Sequence, residues 1–131
     1  MNTSENKFIV RAATHKDAAG LAKVHIDAWQ ETYKGIMPDS VLDGQTHEKA
    51  LQGWIKRLSP DSGQKNFAVL DGMEIIGFSG GGKAREKIGN YDGEMYAIYL
   101  LKKYHHKGLG RLLTKHFARW LLENSYCGMY L

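Results

Sequence analysis

The densest chemistry in the chain lies in Lys102-Lys103-Tyr104-His105-His106-Lys107-Gly108-Leu109-Gly110-Arg111. An apolar run of strand length ends just before it, and a helical pattern begins at Gly108. A strand therefore feeds a helix through a turn rich in glycine and cations. The first backbone N–H groups of a helix have no partner within it, and the helix dipole is positive there. Such an end binds phosphate. Gly108 and Gly110 allow close backbone approach because no Cβ intervenes. Lys107 and Arg111 can add charge-assisted contacts. Cations crowded at a helix N-terminus otherwise cost about 0.3–1 kcal/mol, and a bound anion removes that conflict. The turn is not a P-loop, since no Gly-Lys-Ser/Thr occurs. Nor is it a dinucleotide fingerprint, which needs a third glycine where Leu113 stands. Taken alone, Gly-x-Gly also fits an ordinary helix start, so the rest of the chain must decide.

The elements that position this turn can be read from periodicity. Residues 8–11 make a short strand. Thr14 and Asp17 form a capping box for a helix carrying Leu21, Ala22, His25, Ala28, Trp29 and Tyr33 on one side, closed by Gly35 and Pro38. A loop or short turn covers residues 37–44, and a second helix fits 46–58 with Trp54 on its apolar side. Two apolar runs, 66–70 and 73–79, flank the hairpin signal Asp71-Gly72. Gly80-Gly81-Gly82 ends the second run, and the polar stretch 83–92 reads as a mobile loop. Residues 94–101 alternate as a strand, with Glu94, Tyr96, Ile98 and Leu100 on one face and Met95, Ala97, Tyr99 and Leu101 on the other. The helix over 108–124 has the clearest apolar stripe, and a last strand begins at Cys127. The order is β-α-α-β-β-β-α-β, an α/β (α+β) fold with an antiparallel hairpin at its centre.

These residues resemble the GNAT superfamily of N-acetyltransferases. Its signature, Gln/Arg-x-x-Gly-x-Gly/Ala after the fourth strand and often written Tyr-Gln/Arg-Gly-Lys-Gly-Ile-Gly, is matched by Tyr104, Lys107, Gly108 and Gly110, whereas His105 and His106 stand where Gln/Arg and a first glycine are usual. A Trp-x-x-x-Tyr-x-Gly-x-x-Pro stretch, Trp29 to Pro38, is similar to the first-helix segment of one bacterial branch, and Trp54 fits it. The resemblance spans residues 8–131. It implies acetyl-CoA as donor and a primary amine as acceptor. Backbone groups of Ile98, Tyr99 and Leu100 would hold the pantetheine arm. His105, His106, Lys107, Gly108, Leu109, Gly110 and Arg111 would hold the pyrophosphate. Trp29 and Tyr33 would line the acceptor side, unless they serve only helix packing. Glu94 would be a general base acting through water, or equally a solvent-facing strand-end carboxylate. His25, on an apolar helix face, is a weaker candidate for that base. The family's general acid, a tyrosine on a later helix, has no counterpart, and Tyr126 and Tyr130 are not at its position. The sequence stops within the fifth strand, so the reading expects a domain lacking the C-terminal helix and last two strands. An exposed apolar strand edge would then call for a homodimer or strand exchange.

The bulk composition agrees. The 131 residues suit one domain, and 43% hydrophobic with 24% charged residues is ordinary for a globular protein. No run approaches a membrane span, and a polar N-terminus with a single cysteine, Cys127, points to the cytoplasm. The sequon Asn2-Thr3-Ser4 has no meaning there. No metal is expected. The net charge of +4 suits an anionic cofactor. Two other readings stay open: a CoA-binding domain with weak or no turnover, and a basic nucleic-acid-binding module. The second suffers because the cations gather at one helix end and do not line a groove.

Overall fold

The computed structural model describes residues 7–131, so the sequon at Asn2 lies outside the described residues. Five strands form one sheet in the order β1-β2-β3-β4-β5. They are β1 (Phe8–Ala12), β2 (Lys65–Asp71), β3 (Glu74–Ile88), β4 (Tyr91–Leu100) and β5 (Met129–Tyr130). All neighbours are antiparallel except β4 and β5, which run parallel. The helices are α1 (Ala18–Tyr33), α2 (Asp39–Asp43), α3 (His47–Arg57) and α4 (Leu109–Glu123). α2 is a single turn inside the segment expected to be loop.

Strand alternation divides the core between two layers. From β2, Phe67 and Val69 join Leu113, Phe117 and Leu121 of α4 on one face. Ala68 and Leu70 join Leu21 and Ala22 of α1 and Trp54 of α3 on the other. Asp17 ties β1 to the start of α1. Its carboxylate accepts from both terminal nitrogens of Arg11, at 2.8 and 2.9 Å, and from the Thr14 backbone N–H at 2.8 Å. The β2–β3 turn falls one residue later than Asp71-Gly72: Asp71 pairs with Glu74, and Gly72 takes the left-handed φ of 64°.

Two expectations for the middle of the chain are corrected. Gly80-Gly81-Gly82 does not end β3, and residues 83–92 are not a loop. β3 runs through the glycines to Ile88, and β4 starts at Tyr91. The cause lies in the pairing. Gly80 is opposite Ala97, but Gly81 is opposite Met95, so Tyr96 is an extra residue on β4, a bulge. A Cβ on Gly81 would lie 2.0 Å from the Glu94 carbonyl oxygen and 2.8 Å from the Phe117 ring. Gly81 therefore marks where β4 presses into β3.

The bulge also overturns the expected faces of β4. Met95 packs with Ile98 and Leu100 against the α4 layer, while Ala97, Tyr99 and Leu101 pack on the α1/α3 layer. Strict alternation would put Met95 with Ala97; one inserted residue reverses the parity beyond it. A Cβ on Gly93 would meet Leu121 of α4, so Glu94 turns to the α1/α3 face. Gly81→Ala is expected to lower the unfolding free energy by about 1–3 kcal/mol, seen as a lower midpoint in urea. An unchanged midpoint would show that the bulge is not locked by these glycines.

Candidate functional site

β5 runs parallel to the start of β4. Their pairing is confined to Gly93 with Met129 and Glu94 with Tyr130. The Leu101 N–H bonds the Ile76 carbonyl on β3. By strand alternation Ile98 and Leu100 then aim their backbone groups at the opposite edge, beyond the residues that pair with β5. The Leu100 carbonyl on that edge accepts from His105 Nε2 at 2.9 Å. Tyr99 places its side chain on the α1/α3 face, its ring centroid 5.3 Å from that of His25.

The turn that follows is anchored on both sides. Tyr104, buried, donates its hydroxyl to Asp71 Oδ2 at 2.7 Å; this bond is the main reason its phenol is pushed up to about 12. Glu31 of α1 accepts from the Lys102 backbone N–H at 3.2 Å. His106 then adopts a left-handed φ of 63°, at the position where the resemblance has a glycine. Histidine is among the side chains that tolerate this region best. Gly108 follows with φ 78° and starts α4 with no side-chain cap among the described residues. The first helical bond is Leu112 N–H to the Gly108 carbonyl. The amides of Leu109, Gly110 and Arg111 precede it and belong to the unpartnered first turn. Leu109 buries its side chain, while His105, His106, Lys107 and Arg111 are exposed around the end.

Gly110 has no structural reason to be glycine. Its conformation is helical, and the nearest atom to an added Cβ would be Ile98 Cδ1 at 4.0 Å, ordinary contact. Glycine in a helix costs up to about 1 kcal/mol relative to alanine. Nothing among the described residues needs that space.

Glu94, which pairs with Tyr130 of β5, has side-chain partners that the sequence did not reveal. Arg85 Nη2 donates to Oε2 at 2.6 Å, the Arg85 backbone N–H to Oε1 at 2.9 Å, and the Tyr130 hydroxyl to Oε1 at 3.3 Å. These bonds, the Arg85 side chain first, hold the carboxyl down at about 2. Arg85 also covers the bulged Tyr96, with Cζ 4.4 Å from its ring centre, and its side chain is 65% exposed. The site reading of the sequence left out both Arg85 and Tyr130.

On the α1/α3 face a cavity of about 220 Å³ opens between α1 and α3. Trp29 and His25 line it; Tyr33 lies beside Trp29, ring centroids 5.2 Å apart. His25 Nδ1 accepts from the Trp54 indole N–H at 3.2 Å. Burial, and then Arg57, push the His25 imidazole down to about 4, so it is neutral at physiological pH. Among the described residues no group of acidic, histidine or cysteine side chains could hold a metal ion, and no helix is long and apolar enough to cross a membrane.

The model of the acetyltransferase (GNAT) family matches residues 7–131. The uncharacterized N-acetyltransferase YuaI of Bacillus subtilis (strain 168) is 34% identical over 123 residues, covering 93% of this chain and 69% of that protein. The fold is similar to the PaiA N-acetyltransferase of Thermoplasma acidophilum, solved in complex with coenzyme A (TM-score 0.70, 21% identity, 91% of this chain and 74% of that one). It is also similar to the aminoglycoside N-acetyltransferase AAC(6')-Iy in complex with CoA (TM-score 0.73, 14% identity, 93% and 74%). The strand, bulge, basic turn and helix thus sit within a chain that belongs to the GNAT acetyltransferase family.

Proposed function

We propose that the chain, acting as one domain over residues 1–131, transfers an acetyl group from acetyl-CoA to a primary amine. The observation that carries this reading is Gly110, a first-turn helical glycine with room for a side chain beside unpartnered amides. A pyrophosphate at that end would use the amides of Leu109, Gly110 and Arg111, with Lys107 and Arg111 supplying charge. The pantetheine amides would pair with the outward backbone groups of Ile98 and Leu100, adding a strand-like partner beyond the residues that pair with β5. That arm would point the thioester toward the Tyr96 bulge. The Thermoplasma and aminoglycoside enzymes, both solved with CoA, support the donor. A cytoplasmic setting suits this donor and the free, exposed Cys127.

In the transfer, the neutral amine nitrogen attacks the thioester carbonyl carbon. The C–N bond forms, the C–S bond breaks, and the sulfur leaves as the thiol with the proton that the amine gives up. The acceptor would arrive on the α1/α3 face, past Trp29 and Tyr33. Glu94 faces that side. As a base acting through water it must first be freed from Arg85, because a carboxyl held at about 2 draws a proton weakly. Arg85 is exposed enough for an arriving substrate to displace it.

The reading is tested by calorimetric titration of acetyl-CoA into the chain and into Gly110→Glu. A carboxylate in the first turn favours the free helix, so the variant should melt no lower than the parent. It should nevertheless lose at least tenfold in affinity, through repulsion and loss of space. Release of free CoA thiol with an amine panel then separates an enzyme from a binding domain without turnover. Absence of acetyl-CoA binding by the unaltered chain would overturn the reading.

Arg85→Gln should raise the Glu94 carboxyl from about 2 toward the ordinary 4.5, read by carboxyl NMR titration. A depressed folded-state value stabilises the fold fully above pH 4.5, and that contribution fades as pH falls toward 2. The stability gap between parent and variant should therefore be constant above pH 4.5 and close below it. An unchanged Glu94 midpoint would mean that Arg85 does not control this carboxylate.

A further inference from the structure

The cavity between α1 and α3 contains a cation without a counter-ion. Arg57, the last residue of α3, stacks its guanidinium on Trp54, with Cζ 3.9 Å from the ring centre. Its hydrogen bond is to the amide oxygen of buried Asn66, long at 3.4 Å. No carboxylate lies within ion-pair reach of it among the described residues. The cavity wall adds Lys49, Gln45 and neutral His25, and no acidic side chain. Burial lowers Arg57 to about 10, the mark of a cation taken from water without an anion in exchange. The cavities around Asp27 and Glu74, by contrast, carry both signs of charge.

Two glycines make room for this arrangement. Gly80, on β3 beneath Arg57, would place a Cβ 2.1 Å from Asn66 Oδ1 and 3.1 Å from Arg57 Nη2. Gly80 pairs with Ala97, the residue next to the β4 bulge, so the guanidinium stands beside the strand that would present the thioester. Gly53 lies in the middle of α3 on the cavity wall, and a Cβ there would meet nothing within 4 Å. A helix-interior glycine costs about 1 kcal/mol relative to alanine, and no neighbouring atom requires this one. An open wall, a stacked cation and a lysine, with no opposing charge, make a receptor for a small anionic group.

We propose that the acceptor is a compact amine bearing an anionic oxygen group, carboxylate or phosphate, which Arg57 and Lys49 hold in the α1/α3 cavity. This rests on the acetyl-transfer reading above. A bidentate guanidinium–oxyanion contact is the geometry that arginine favours. The cavity of about 220 Å³ suits an amino-acid-sized molecule and repels polycationic amines.

The test uses matched pairs: glycine and glycinamide, serine and serinamide, O-phosphoethanolamine and ethanolamine. Each is titrated into the chain saturated with CoA, following tryptophan fluorescence, since Trp29 and Trp54 border the site. Each is also assayed for thiol release with acetyl-CoA. The anionic member of at least one pair should bind and react at least tenfold better; the amino acids and the phosphate ester distinguish carboxylate from phosphate. Arg57→Gln should abolish that preference, with partial return in Arg57→Lys, while acetyl-CoA affinity stays unchanged. Comparing the preference between parent and variant cancels the differing basicity of the amines. Gly53→Leu, which fills the wall one helical turn before Arg57, should retain or raise stability and lose the anionic ligand. Equal use of neutral members, a preference surviving Arg57→Gln, or no fluorescence response to any anionic member would overturn the proposal. Loss of acetyl-CoA binding itself would instead strike at the acetyl-transfer reading.

Discussion

The arrangement depends on one packing constraint: β4 can carry an extra residue only because β3 offers glycine where the two backbones press together. Around Gly81 the Glu94 carbonyl and the Met95 backbone occupy the volume of a side chain, so any substituent there pushes the bulge away. The bulge sets the faces of β4. Ile98 and Leu100 turn toward α4, Tyr99 and Ala97 toward α1 and α3. β5 meets β4 only below the bulge. Beyond it β4 leads directly into the basic turn and the first turn of α4. In the proposed reading the donor lies along the edge of this distorted strand and the acceptor on its α1/α3 face.

The electrostatics follow a common rule. Three cations on this chain are placed differently with respect to anions. Arg11 has Asp17, and the pair locks β1 to α1. Arg85 has Glu94, at an exposed position where the pair can open. Arg57 has no carboxylate partner among the described residues and is half-buried on an indole. Satisfied pairs build the scaffold, while the desolvated cation left without an anion is where, in the proposal above, a ligand completes the charge balance. The cluster at the start of α4 repeats that logic with backbone amides.

Much of this was legible in the sequence. The element order, the helical stripe of α4 and the basic turn followed from periodicity and glycine placement. The capping residues Thr14 and Thr46 stand next to the segments expected to be helical. What failed did so for one reason. Three consecutive glycines in an apolar run resemble the end of a strand, and a polar stretch after them resembles a loop. Only the tertiary pairing shows that they accommodate a bulge and that the polar stretch is a long two-stranded arm. A glycine within a strand pattern is itself a bulge signal, and it was available. Arg57 was also within reach, three residues after Trp54 on the same helix face, the spacing at which side chains stack. Arg85 was not, because its link to Glu94 spans the arm that had been read as loop.

Whether the open edge of β4 and the first turn of α4 together receive the donor can be read most directly from backbone amide NMR during titration with CoA. The amides of Ile98 and Leu100 on β4 and of Leu109, Gly110 and Arg111 on α4 should shift together with one saturation curve, while those of β1 stay still. Saturable binding that leaves both groups of amides unmoved and shifts another surface would contradict this placement of the cofactor.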